Sequence, residues 1–283
     1  TRERAADDKQ VFDRGRSAML NFARVNVTVP KIHKVGQIEL RKSGKEADPS
    51  KYFTATDAVT FETQPEFAKA LSSDIAARGG RAMVFVHGYN TSFDAGVYRA
   101  TQIAQDSGYT GTPVLFSWAS GGSTTDYVYD KESASAARDQ LEATLRMLAQ
   151  SGARRIDIVA HSMGTWVTME ALRQLALTGD RDLGGKLGDV VLASPDIDVD
   201  VFKSQMRRYG KPTKPFFGDY KNAADLAEYG VIVVDLSNTK SGDAFNHTKF
   251  ADNPEMVKLL GQRLRTDDGF ASDREVTDRL RLL

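Results

Sequence analysis

The chain has 283 residues, with 38 lysines and arginines balanced by 38 aspartates and glutamates. That length suits one large α/β domain or at most two small ones, and zero net charge argues against a nucleic-acid footprint, which needs a clustered basic face. No apolar run approaches the roughly 18 residues of a transmembrane helix, and the lack of cysteine excludes disulfides, thiolate chemistry and cysteine metal sites. Such a chain suits the cytoplasm and the periplasm alike. Its start at Thr1-Arg2-Glu3 leaves room for a removed targeting segment, so the compartment and the oligomeric state stay open.

Residues 1–20 are charged and weakly periodic and read as an arm or loose helix. Val25, Val27 and Val29 alternate with polar residues up to Pro30, and Val35–Leu40 offers a second short strand, so the two are expected to pair antiparallel. A polar loop (41–50) and a third strand at Ala58–Phe61 follow. Thr63-Gln-Pro-Glu66 has the form of a capping box with proline in the first turn, opening a helix that buries Phe67, Leu71 and Ile75 and ends before Gly79-Gly80. From there strands and helices alternate: strand 82–86, helix 94–107, strand 113–117, a Gly/Ser/Thr loop at 119–125, one helix over 133–150, strand 155–160, helix 163–177, strand 189–193, helix 199–209 and strand 231–236. Thr213–Phe217 is a short strand candidate broken by Pro215. Asn253-Pro254 caps a last helix that turns Met256, Val257, Leu259 and Leu260 inward. The tail 266–283 is charged and reads as loosely attached. Nearly continuous apolar strands between helices predict a mostly parallel sheet covered on both faces, as one domain over 21–265.

The chemistry gathers at strand ends, where such sheets place their sites. Ala160-His161-Ser162-Met163-Gly164 joins a buried strand to a helix through a serine flanked by small residues. This is the layout of a nucleophile elbow, with alanine in place of the usual first glycine. Serine is also a good helix N-cap, but the small neighbours and the strand before it favour a nucleophile. Upstream, strand 82–86 ends in His87-Gly88-Tyr89-Asn90. A His-Gly turn after an early strand, together with the residue after the nucleophile, supplies backbone oxyanion donors in α/β-hydrolases; these roles fall to the N–H groups of Tyr89 and Met163. His87 is read as bracing that turn. His247 is the one histidine after the last strand, where the general base belongs. The carboxylate that would orient it has two candidates, Asp196 after strand 189–193 and Asp219 after Phe217-Gly218, each with an alternative reading as a helix-capping residue. Asn90 and Trp118 are candidates for a substrate pocket. The sequence lacks the histidine–glutamate spacings of zinc hydrolases and a phosphate-cradling glycine loop, so no metal or organic cofactor is expected.

Taken together, Val84-Phe-Val-His-Gly-Tyr-Asn-Thr-Ser-Phe93, Val114-Leu-Phe-Ser-Trp118, His161-Ser-Met-Gly164, Ser194-Pro-Asp-Ile-Asp198 and Asn246-His-Thr-Lys-Phe250 resemble the bacterial esterase/lipase-like branch of the α/β-hydrolase superfamily, over about residues 20–262. The resemblance implies the α/β-hydrolase fold and hydrolysis of small acyl esters through an acyl-enzyme, with Ser162 as nucleophile and His247 as base. The same machinery serves an amidase or an acyltransferase, and a non-catalytic binding protein of the same fold is the rival of another class. One departure stands out. That family's pattern has a full strand and an aspartate-rich turn before the segment resembling Gly218-Asp-Tyr-Lys-Asn222, whereas here Phe217 runs straight into Gly218, about twenty residues short of a strand plus helix.

Overall fold

The computed structural model describes residues 1–6, 10–42, 44–218, 226–233 and 249–265. Its centre is a six-stranded parallel sheet in the order β10-β9-β8-β7-β5-β6. The strands are β5 (Arg81–Val86), β6 (Thr112–Phe116), β7 (Arg155–His161), β8 (Leu187–Ala193), β9 (Phe216–Gly218) and β10 (Val231–Val233). Alternation along β5 shows why both faces are covered. Ala82, Val84 and Val86 belong to one apolar cluster, while Met83 and Phe85 belong to another, because successive strand side chains point to opposite faces. The first cluster is closed by α1 (Gln64–Ala77), α4 (Arg138–Gln150), α5 (Met163–Leu177) and α6 (Val199–Tyr209), and the second by α2 (Phe93–Asp106), the four-residue α7 (Lys249–Asp252) and α8 (Pro254–Arg265).

Local signals hold where they concern caps and apolar runs. Thr63 and Glu66 close a reciprocal capping box at α1, and Asn253 Oδ1 accepts the Met256 N–H at 3.1 Å to start α8. The short strand candidate before Gly218 is real: β9 pairs in parallel with both β8 and β10.

Three expectations are corrected. The described residues of the 1–20 arm are not helical. Arg2–Arg4 (β1) and Phe12–Arg16 (β2) form an antiparallel hairpin, held down by Arg2, which is only 2% exposed. Residues 35–40 form no strand; the partner of β3 (Phe22–Thr28) is β4 (Thr54–Phe61). The 31–40 segment is instead clasped to the end of α2, where His33 lies between Glu39 (Nδ1 to Oε2, 2.8 Å) and Asp106 (Nε2 to Oδ1, 2.6 Å), with the Gly36 N–H also on Asp106. Burial opposes a charged imidazole there, but the hydrogen bonds and charges of the two carboxylates outweigh it and raise the His33 pKa. Finally, the helix expected over 133–150 is two, α3 (Tyr127–Ala136) and α4, which meet at Ala137. The earlier start is tied to Asp130, a fully buried carboxylate that draws the first turn of α3 onto the neighbouring loops.

Candidate active site

Ser162 joins β7 to α5 with φ 50° and ψ −125°, a left-handed conformation that costs a non-glycine residue about 1–3 kcal/mol and persists only where surrounding contacts over-determine it. Those contacts are present. The Ser162 N–H donates to Ala193 O at 2.9 Å, and the Ser162 carbonyl accepts the Thr165 N–H (2.9 Å), the Thr165 hydroxyl (2.6 Å) and the Asp196 N–H (3.3 Å). The side chain makes no capping hydrogen bond to α5, so the helix-cap reading of this serine does not describe it. Gly164 follows from packing, because a Cβ there would collide with the carbonyl oxygens of Val86 and His87. Ala160, in the place of the usual glycine, is fully buried in register with Val86 of β5 and Leu192 of β8.

The His87–Thr91 turn presses directly on this elbow. A Cβ on Gly88 would lie 2.9 Å from Ser162 Cβ and 2.9 Å from His161 Nδ1. Among the described residues the Tyr89 and Met163 amides donate to no protein acceptor, and Met163 opens α5, where unsatisfied N–H groups and the helix dipole favour negative charge. The turn is pinned just after Tyr89. The Asn90 N–H, in a residue with φ 53°, donates to Asp130 Oδ2 at 3.0 Å, and the Thr91 N–H donates to Ser120 Oγ at 2.9 Å. Asp130 also accepts the Ser120 hydroxyl (2.6 Å) and the Gly121 N–H (2.6 Å). The mouth of the site carries aromatic groups: Tyr89 and Tyr127 meet edge to face with centroids 5.4 Å apart, and the Tyr127 hydroxyl donates to Asp196 Oδ2 at 3.0 Å. Tyr127 is therefore harder to ionise than usual, through desolvation and then the Asp196 charge.

The structure thus brings together Ser162, Met163, Gly88, Tyr89 and the exposed Asp196 and Asn90. It does not put Trp118 at a pocket wall. Trp118 is fully buried, stacks on His87 at 4.9 Å and donates its indole N–H to His87 O at 2.7 Å, because the chain turns inward at the end of β6 behind the 87–91 turn. His87 braces that turn as expected: its Nδ1 lies 2.9 Å from Gly88 O. Burial, followed by the charge of Arg2, lowers the His87 pKa to about 3. His247, Asp219, residues 234–236 of the expected last strand and the 266–283 tail lie outside the described residues; Gly218, which precedes Asp219, is the last residue of β9. Sequence reasoning missed Asp130, Ser120 and Arg2, which read as surface polar groups and carry no periodic signal of burial. Among the described residues no group of three or more His, Asp or Glu side chains could hold a metal ion, and no helix is long and apolar enough to cross a membrane. A cavity of about 610 Å³ is lined by Arg4, Phe53, Phe93 and Tyr98, among others, and by no residue of the elbow.

The profile of the family described as "Alpha/beta hydrolase of unknown function (DUF900)" matches residues 60–222 and 217–263. The two matched stretches meet at the point where the sequence departs from the expected pattern, around Phe217-Gly218. No curated protein matches the chain. Similar solved structures include two of the Pyrococcus furiosus esterase Pf2001. One is 18% identical, covers 66% of this chain and 81% of the esterase and has a TM-score of 0.41; the other is 17% identical, with 66% and 82% coverage and a TM-score of 0.40.

Proposed function

The chain belongs to the α/β-hydrolase family DUF900, and from that premise we propose that it is a serine hydrolase that cleaves small carboxylic esters through an acyl-enzyme. The observation that supports the reading is a strained Ser162, whose hydroxyl caps no helix, with Gly88 of the 87–91 turn packed against it; the Tyr89 and Met163 amides, which donate to no protein acceptor among the described residues, supply the N–H groups the reading needs. In this mechanism His247 takes the Ser162 proton as Oγ attacks the ester carbonyl. The tetrahedral oxyanion is held by the Tyr89 and Met163 N–H groups, donors whose individual loss typically costs about 10²–10³ in rate. Collapse expels the alcohol, which leaves with the proton from His247. A water then repeats the sequence on the acyl-enzyme and releases the acid. A carboxylate, Asp219 or Asp196, holds the imidazole in the tautomer the first step needs.

The test is labelling with a fluorophosphonate, read by intact mass and peptide mapping. The expected result is a single adduct on Ser162, abolished by Ser162→Ala and much slowed by His247→Ala. No adduct anywhere between pH 6 and 9 would sink the proposal and bring forward a non-catalytic binding role.

A further inference from the structure

We infer that Arg2 is a positioning residue for the oxyanion amide: through Ser117 it fixes the tautomer of His87, and His87 aims the Tyr89 N–H at the site. The inference rests on the oxyanion reading of the 87–91 turn. It starts from three side chains far apart in sequence and one backbone carbonyl. Arg2 Nε donates to Ser117 Oγ at 2.7 Å, Ser117 Oγ lies 3.3 Å from His87 Nε2, and His87 Nδ1 lies 2.9 Å from Gly88 O.

The proton positions follow from what each group can do. A carbonyl oxygen only accepts, and the backbones of Gly88 and Trp118 both favour a proton on the His87 ring; the 2.9 Å contact with Gly88 O assigns that proton to Nδ1. Buried and next to a guanidinium, His87 is neutral and carries one proton only. Nε2 is therefore an acceptor, and its donor is the Ser117 hydroxyl. Ser117 can orient its proton that way because Arg2 Nε, which only donates, occupies an Oγ lone pair. The relay ends at the peptide between Gly88 and Tyr89. No cis peptide bond occurs among the described residues, so the Gly88 carbonyl and the Tyr89 N–H point in opposite directions. A carbonyl held by His87 leaves the N–H facing the elbow.

Arg2 is well placed for this work. It is 2% exposed, and its remaining donors hold the carbonyls of Asp13 (3.2 Å), Ser120 (3.1 Å) and Thr91 (2.6 Å). The last two belong to the loop and turn that flank Tyr89. A guanidinium fork can satisfy four partners in one plane, which an ammonium cannot. Arg2 therefore also anchors the β1–β2 hairpin, and the test must separate anchoring from the relay.

The experiment combines ¹⁵N spectra of histidine-labelled protein, which distinguish Nδ1–H from Nε2–H, with the rate of Ser162 labelling by a fluorophosphonate and with kcat and KM on p-nitrophenyl acetate. Wild-type protein is expected to show His87 as the Nδ1–H tautomer. Ser117→Ala leaves Arg2 and its hairpin contacts in place; it should give mixed tautomers, slow labelling and kcat roughly 10- to 100-fold and leave KM nearly unchanged, less than the full loss of an oxyanion donor. Arg2→Met should do the same, with partial recovery in Arg2→Lys. A pure Nδ1–H signal with wild-type labelling rates in Ser117→Ala and Arg2→Met would overturn the inference and leave the hydrolase reading intact. A wild-type protein that shows the Nδ1–H tautomer but takes no label would overturn both.

Discussion

Gly88→Ala is the sharpest single test of the site geometry. The Gly88 φ lies outside the left-handed region, so alanine meets no backbone penalty and the perturbation is contact alone. The new methyl would lie 2.9 Å from Ser162 Cβ, 2.9 Å from His161 Nδ1 and 3.1 Å from His161 O. Carbon atoms pack best at about 3.5–4.0 Å, so the turn and the elbow must separate by roughly 0.6–1.1 Å. Neither side yields easily, since the elbow is tied by Ala193 and Thr165 and the turn by Asp130 and Ser120. A displacement of about 1 Å between a reacting atom and its stabilising group costs on the order of 10² in rate, while overpacking of this kind costs about 1–3 kcal/mol of stability. The assay is kcat/KM on a chromogenic ester, with urea unfolding as the control for folding. A folded Gly88→Ala protein with wild-type kcat/KM would refute the argument, because the turn would then not face the nucleophile.

Replacing Ser162 by glycine removes the left-handed strain together with the nucleophile; ester hydrolysis should disappear while urea denaturation shows a gain of about 1 kcal/mol or more, and a destabilised variant would contradict the strain. The triad acid is separable by kinetics. Asn in place of the true acid should lower kcat by about 10⁴-fold, whereas Asp196→Asn, if Asp196 serves mainly as the Tyr127 partner, should change kcat far less than Asp219→Asn. The His33 clasp predicts a pH dependence. His33 has a raised pKa, so its contribution is fully present below the ordinary histidine value and is lost as pH rises through its folded pKa; Glu39 is lowered, by its hydrogen bonds to His33 and the Lys34 N–H against the opposing effect of burial, so its contribution is lost as pH falls. Thermal unfolding should therefore show this contribution as largest between about pH 4.3 and 6.5, with the alkaline slope reduced in His33→Gln; an unchanged slope in that variant would exclude the clasp as its source.

Much of this molecule is written locally. The apolar runs that became β5, β7 and β8, the capping box of α1 and the asparagine N-cap of α8, and the strand–serine–helix junction at Ser162 each depend on residues within a few positions of one another, which is the range over which periodicity and capping operate. The order of His-Gly turn, strand–serine–helix junction and His247 is likewise a property of the chain alone. What was not legible depended on residues brought together from far apart. Arg2 reads as a solvated charge in a polar arm and is buried because carbonyls from residues 13, 91 and 120 converge on it. Asp130 reads as a loop carboxylate ahead of the helix expected over 133–150 and is buried because the loops after β5 and β6 present N–H groups to it. Trp118 ends a strand on the active side, as a pocket residue would, yet the direction of its ring was decided by His87, 31 positions away. Periodicity reports which face of an element is apolar. Whether a buried charge is affordable, or which way a peptide N–H points, depends on partners that only the folded chain supplies.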